Sequence, residues 1–260
     1  MTTQPLPSQN VAVRSGLHLG CVCVRRLLAS RQTMVSAFLL GFSVLVVVAW
    51  SLRRERTALE FVDDILLPLY VAFLLPMLCL CYGTASVSVD RDERTLVYLL
   101  LTPLPRPVIH LAKYASAMFV SLLWTLGGML LLCRVAGDAG WEAFRLFWLA
   151  VLCSTLAYVG LFHLLGVVFR RATIIALAYA VFLETFVGNT PGIAKRVAIT
   201  FYTRCLIFDA GSEIGLGPAG GQPADLFLPV SGQAAAIVLC TLAAVFLLAG
   251  TWFFTRKEYV

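Results

Sequence analysis

The feature that most limits this chain is a series of six apolar stretches, each near the length of a bilayer crossing, joined by connectors that carry most of the charge. They run approximately from Met34 to Leu52, Ile65 to Val89, Leu111 to Cys133, Phe144 to Phe169, Ala172 to Gly188 and Gln233 to Thr255. A hydrocarbon core about 30 Å thick is crossed by about 20 apolar residues in an α-helix. Strands of a membrane barrel would alternate in polarity over about ten residues, and none of these stretches alternates. Only 13% of the residues are charged and 60% are hydrophobic, against about 25% and 45–50% in a soluble domain. A water-soluble enzyme, a disordered chain and a collagen-like chain are excluded. The expected fold is all-α, a polytopic membrane protein with six transmembrane helices. Pro68 and Pro76 fall inside the second stretch and are expected to kink it.

Net charge is +6, from 20 Lys+Arg against 14 Asp+Glu. In a membrane protein this charge is sorted by side, because Lys and Arg are retained on the cytoplasmic face. With six spans both termini share a face, and that face collects twelve of the basic residues, including Arg14, Arg25, Arg26, Arg91, Arg106, Lys113, Arg170 and Arg171. The other face collects eight, several of them in the long segment before the last span and therefore of little weight. Arg53, Arg54 and Arg56 are offset by Glu55, Glu60, Asp63 and Asp64, whereas Arg170-Arg171 has no acid beside it. Both termini are expected in the cytoplasm, with the chain in the plasma (inner) membrane. Residues Met1 to Asn10 are polar, contain two prolines and have no apolar core, so no cleavable signal peptide is expected.

Residues 1–33 form the expected N-terminal region and 34–260 the membrane domain, which includes an outer segment at 189–232. Between Val11 and Thr33, Arg14, His18, Arg25 and Gln32 form one polar stripe, with Leu17, Val24 and Leu28 on the other face. Such a helix suits the headgroup plane and contact with membrane lipid. The eight cysteines do not form a secreted disulfide framework. Cys79, Cys81, Cys133, Cys153 and Cys240 sit in or at the ends of apolar runs and read as small hydrophobes. Cys21-x-Cys23 and Cys79-x-Cys81 are the only close pairs, and without nearby His or carboxylate partners metal binding is the lesser alternative there.

The segment between the second and third stretches carries the most information. It opens with Asp90-Arg-Asp-Glu-Arg94, continues through a short apolar helix from Thr95 to Leu101, stops at Thr102-Pro103, and leads past Arg106 to Lys113. The polar start and proline stop bound a helix too short to cross a bilayer. Its leucines must pack on the chain's own bundle or on a partner.

This segment resembles the second cytoplasmic stretch of the ABC-2 family of ABC-transporter permeases. That stretch has a charged cluster, Gly-Thr-Leu-x-x-Leu-Leu-x-Thr-Pro, then an Arg, and a Lys entering span three. Glu93, Thr95, Leu96, Leu99, Leu100, Thr102, Pro103, Arg106 and Lys113 fit that pattern, and Arg94 stands where the family has glycine. The resemblance implies a permease subunit of an ATP-driven exporter, with a coupling helix in the segment 90–106. It further implies that Glu93, Arg94, Thr95, Leu96, Leu99, Leu100, Thr102, Pro103 and Arg106 contact an ABC ATP-binding subunit, present in two copies. A second permease chain, identical or homologous, would complete the unit, with ATP and Mg on the partner and no cofactor in this chain.

The residues agree that the ATPase is separate. A P-loop needs Gly-x-x-x-x-Gly-Lys-Ser/Thr, and Lys113, Lys195 and Lys257, the only lysines, have neither neighbour. Gly215-Leu-Gly217-Pro-Ala-Gly220 has the letters of a dinucleotide loop but follows no expected strand. His18, His110 and His163 are scattered, and His163 reads as a hydrogen-bonded core residue. Gly127-Gly128 reads as a close helix contact, and Trp50, Trp141 and Trp252 as interface anchors. Glu184 is the acid well inside a span. Charged burial costs several kcal/mol unless the group is paired or reaches water, so it either pairs near the outer surface or lies on a pathway or subunit interface. The rival readings are an integral-membrane enzyme acting on lipid, which lacks clustered polar residues at one depth, and a non-transporting assembly factor. Nucleic acid is not an expected partner.

Overall fold

The computed structural model describes residues 9–52, 57–92, 105–186, 193–216 and 230–256, and the regular structure among them is helical throughout. Helix α1 (Gln9–Leu28) is followed by α2 (Arg31–Ser51). Then come α3 (Ala58–Phe61), a π-helical stretch (Val62–Leu74) and α4 (Leu75–Asp92) as one continuous rod. Helices α5 (Arg106–Val135) and α6 (Asp138–Val168) follow. Helix α7 (Ala172–Tyr179) runs on as a π-helical turn (Ala180–Phe186), and α8 (Ile199–Ala210) and α9 (Gly232–Arg256) complete the chain.

Five of these helical rods are long and apolar enough to cross a membrane: Arg31–Ser51, Ala58–Arg91, Arg106–Val135, Asp138–Val168 and Gly232–Arg256. The fifth apolar stretch of the sequence is a shorter helix, Ala172–Glu184. Its helical residues extend to Phe186, a rise of about 22 Å that falls short of the about 30 Å core. The segment expected to be loop holds α8, which packs against α6 and α9. Around Pro68 the rod is π-helical. Proline removes a backbone donor from the ladder, and an extra residue per turn absorbs the defect. A capping box starts the rod: Glu60 N donates to Thr57 Oγ1 at 3.2 Å, and Thr57 N donates to Glu60 Oε2 at 3.5 Å.

Helix α6 is the centre of the bundle, packed on α4, α5, α8 and α9. Its buried residues recur along its whole length, from Phe147 and Val151 to Tyr158, Phe162 and Val167. Glycines set the closest crossings. A Cβ on Gly83 of α4 would lie 2.8 Å from Phe162 Cβ, and one on Gly166 would lie 3.2 Å from the Thr84 carbonyl oxygen. Of the two glycines singled out in α5, Gly128 meets Leu40 of α2, whereas Gly127 faces open space. Helix α2 presents an outward apolar row, Met34, Phe38, Phe42 and Leu45. Trp141 and Trp252 are exposed, each beneath an arginine guanidinium at 4.5 Å (Arg134 and Arg256). Trp50 is instead buried, and its indole N–H donates to Asp64 at 3.1 Å.

Helix α1 runs alongside α5 in the same direction. Gly16 lies by Val108, Gly20 by Ala112 and Ser116, and Leu27 packs with Val120. The bundle-facing side is therefore formed by Gly16, Gly20 and Leu27. Leu17 and Leu28, assigned to the apolar face, point outward and are exposed, as is Arg25 of the polar stripe.

The α4–α6 crossing gives a direct test of the packing. Gly83→Leu must push the two helices apart, and overpacking of this kind typically costs about 1–3 kcal/mol. Gly127→Leu has room and should be neutral. Thermal unfolding of both variants in detergent should show a lowered Tm for the first alone, and equal values would refute the packing argument.

Candidate functional site

Where α4 ends, Asp90 is ion-paired with both Arg26 of α1 and Lys113 of α5. Lys113 has no exposed surface, and its Nζ also donates to the Ser86 carbonyl oxygen at 3.1 Å. An ammonium group removed from water costs several kcal/mol unless an opposite charge and hydrogen bonds replace its hydration. Asp90 and Ser86, one turn apart on α4, supply both. Ser86 Oγ then reaches His163 Nδ1 of α6 at 2.8 Å, and the His163 and His110 rings lie 4.9 Å apart. Arg91 Nη2 donates to the Gly166 carbonyl at 2.7 Å. Arg106, at the start of α5, donates to the Thr255 carbonyl of α9 at 3.2 Å. The two stems of the informative segment are thus tied to α1, α6 and α9 at one end of the bundle.

Of the residues assigned to partner contact, Glu93, Arg94, Thr95, Leu96, Leu99, Leu100, Thr102 and Pro103 lie outside the described residues. Arg106 is exposed at the first turn of α5. The cysteines are free thiols, and among the described residues no group of three or more His, Cys, Asp or Glu could hold a metal ion. Cys23 sits near the ionic node, where burial pushes its thiol pKa up against the opposing pull of Lys113 and Arg26. His163 is buried and hydrogen-bonded, as its place in an apolar helix suggested.

A second polar site lies deeper. Glu184 is 2% exposed, and its carboxylate accepts hydrogen bonds from the first two amides of α8, Ile199 N at 3.1 Å and Thr200 N at 2.9 Å. The Thr200 hydroxyl donates to it as well, and the Tyr179 hydroxyl donates at 3.0 Å. The first turn of a helix leaves amides without intrahelical partners and carries partial positive charge. A carboxylate answers both needs. Helix α8 is joined to α6 by two further hydroxyl pairs, Tyr158 with Thr200 at 2.8 Å and Ser154 with Thr203 at 2.6 Å. Sequence reasoning found Glu184 as an isolated acid but not α8 or its cap, because two of the four groups it holds are backbone amides, which no side chain announces.

Removing one member of the Lys113–Asp90 pair leaves a buried charge alone, a loss of about 3–5 kcal/mol for pairs of this type. Asp90→Ala should therefore lower Tm in detergent strongly. The double variant Asp90→Asn, Lys113→Met, which removes both charges, should recover much of the loss. A double variant no more stable than Asp90→Ala would show that the pairing is not what holds this end together.

The sequence matches the family described as ABC-2 family transporter protein over residues 12–259. No curated protein matches it. The matched region takes in α2, α4, α5, α6 and α9 together with both polar sites, so the resemblance seen first in one charged segment extends over nearly the whole sequence. The chain belongs to the ABC-2 family of transporter proteins, as a transmembrane permease component.

Proposed function

We propose that this permease is half of the membrane pathway of an ATP-driven exporter, crossing the plasma (inner) membrane six times with both termini in the cytoplasm. Two permease chains, identical or homologous, and two ATP-binding subunits form the unit. ATP and Mg reside on the ATP-binding subunits, which dock on the segment 90–106. The single observation that supports this reading is the polar anchoring of both stems of that segment, through the Asp90–Lys113 ion pair and the hydrogen bonds of Arg91 and Arg106 to the Gly166 and Thr255 carbonyls. A docked ATPase that moves on nucleotide binding displaces the segment. Because its stems are tied to α1, α6 and α9, the displacement reaches the bundle instead of being lost in a slack loop. Glu184 lies on the pathway or at the interface between two permease chains, and its hydrogen bonds to Ile199 and Thr200 support a role in holding α8 in place.

The energy of docking comes from apolar side chains buried in the partner's groove, with charges fixing register at the rim. Truncating a buried leucine costs about 2–5 kcal/mol, whereas a rim charge is worth about 0–1 kcal/mol. Leu96→Ala and Leu99→Ala should therefore uncouple ATP hydrolysis from the permease far more than Arg106→Ala. Val97→Pro, which breaks a helix at about 3 kcal/mol or more, should have the largest effect. ATPase stimulation and co-purification of the partner measure each, and full retention by Val97→Pro would remove the segment from the docking surface. Orientation has its own test. On a cysteine-free background, impermeant thiol reagents added to intact cells should label cysteines placed at Arg56 and Gly217 and spare those at Arg91 and Arg170. The reverse pattern would invert the topology.

A further inference from the structure

Two histidines meet inside the bundle, His110 of α5 and His163 of α6, with ring centroids 4.9 Å apart. His110 has no exposed surface and His163 is 1% exposed. Phe254 of α9 lies 5.2 Å from the His110 ring, and Tyr114 meets the His163 ring edge-on at 5.3 Å. Gly250 of α9 also closes on His110: a Cβ there would lie 3.2 Å from its Cε1 and Nε2. Among the described residues, neither nitrogen of His110 nor Nε2 of His163 has a hydrogen-bond partner. Buried polar groups are nearly always partnered, and here three such nitrogens sit in adjoining rings.

The contacts of Ser86 fix the state of one ring. Its hydroxyl oxygen lies 2.9 Å from the Gly83 carbonyl oxygen and 2.8 Å from His163 Nδ1. A hydroxyl has one hydrogen and a carbonyl can only accept. Both contacts are therefore hydrogen bonds only if His163 Nδ1 carries a proton and donates it to Ser86 Oγ. In the uncharged ring, Nε2 is then a lone pair that needs a donor. His110, uncharged, presents one N–H and one lone pair in either tautomer, and the two rings are not bonded to each other. The pair calls for a small ligand that donates to His163 and accepts from His110. A zinc ion takes four ligands, and among the described residues no group of three or more His, Cys, Asp or Glu could hold one. An added cation would also face Lys113, whose ammonium donates to the carbonyl of the same Ser86 at 3.1 Å. Water is neutral, is the smallest molecule that both donates and accepts, and characteristically joins otherwise unpartnered buried groups.

We propose that His110 and His163 together bind one ordered water, which donates to His163 Nε2 and accepts from the His110 N–H. Bound there, the water brings His110 into the run of polar contacts that starts at Asp90 and passes through Lys113, Ser86 and His163. It joins α5 to α6 beside Gly250 and Phe254 of α9. The site is independent of which segment meets the ATPase.

The test is solid-state NMR of the full chain in proteoliposomes, isotope-labelled at its histidine nitrogens. The chain has three histidines, and His18, exposed on α1, serves as the internal control. His163 should show a protonated Nδ1 and an unprotonated, hydrogen-bonded Nε2. Magnetisation from water protons should reach the rings of both His110 and His163. Those cross-peaks should survive a gadolinium chelate in the bulk water that bleaches the cross-peak of His18. His110→Phe keeps a ring but removes the group that holds the water, and should abolish the water cross-peak to His163. The unsubstituted chain decides by itself if that variant does not fold. A His163 ring protonated at Nε2, or at both nitrogens, would overturn the proposal. So would the loss of every water cross-peak under the chelate, or a cross-peak to His163 that persists in His110→Phe. Zinc or copper bound one per chain by elemental analysis, and lost in His110→Phe, would assign the pair to a metal instead.

Discussion

One carboxylate, that of Asp90, holds together the end of the bundle from which the 93–104 segment departs. It is shared by Arg26 of α1 and Lys113 of α5. Lys113 is fully buried and depends on it for charge compensation. Ser86 extends the node to His163, and Arg91 extends it to the Gly166 carbonyl, so α1, α4, α5 and α6 meet through polar contacts within two turns of α4. A helix bundle in lipid gains little from apolar contact between helices, since lipid tails are as apolar as leucine. Polar ties and close packing therefore decide where such a bundle is stiff. Here both occur together, because Gly83 and Gly166 bring α4 and α6 into backbone contact just above the ionic node.

The other structural problem is a helix that begins inside the bundle. Thr200 pairs with Tyr158 and Thr203 with Ser154, residues near the middle of the 31-residue α6. The N-terminus of α8 therefore lies deep along α6, where its free amides cannot rely on water. Non-helical backbone at such depth is tolerated only where protein satisfies it. Glu184 does so from the end of the short α7 segment, and Tyr179 steadies the carboxylate from one turn earlier. The charge that looked costly in an apolar span is thus the cap by which one short helical segment satisfies the first turn of another.

The long helices were legible because twenty consecutive apolar residues leave little alternative. Lys113 and Asp90 were both conspicuous, yet counting basic residues by membrane side hides their pairing across 23 residues of sequence. Helix α8 was read as loop because its polar residues, Thr200 and Thr203, point inward to partners on α6, which inverts the usual pattern. The same inversion affects Trp50, which reads as an interface anchor but is buried against Phe61 and bonded to Asp64. In α1 the bundle-facing side is made of glycines and Leu27, so the larger apolar residues that define a face by eye, Leu17 and Leu28, point away from the bundle. Small residues carry the contact and large ones the hydropathy signal. Reading the signal alone assigns the wrong face.

Stiffness at one end constrains where this permease can change shape. Sliding α4 along α6 would open the glycine contacts and separate Arg91 from the Gly166 carbonyl, so at that end the two helices are held to one another. The irregular backbone lies elsewhere, in the π-helical stretches Val62–Leu74 around Pro68 and Ala180–Phe186 around Glu184. Their hydrogen-bond ladders are out of the α register, and such stretches are uncommon and recur at functional sites. One lies in the rod that carries Asp90, and the other carries Glu184, which caps α8. The described residues thus combine an end tied tightly by Asp90, Gly83 and Gly166 with irregular helix around Pro68 and Glu184.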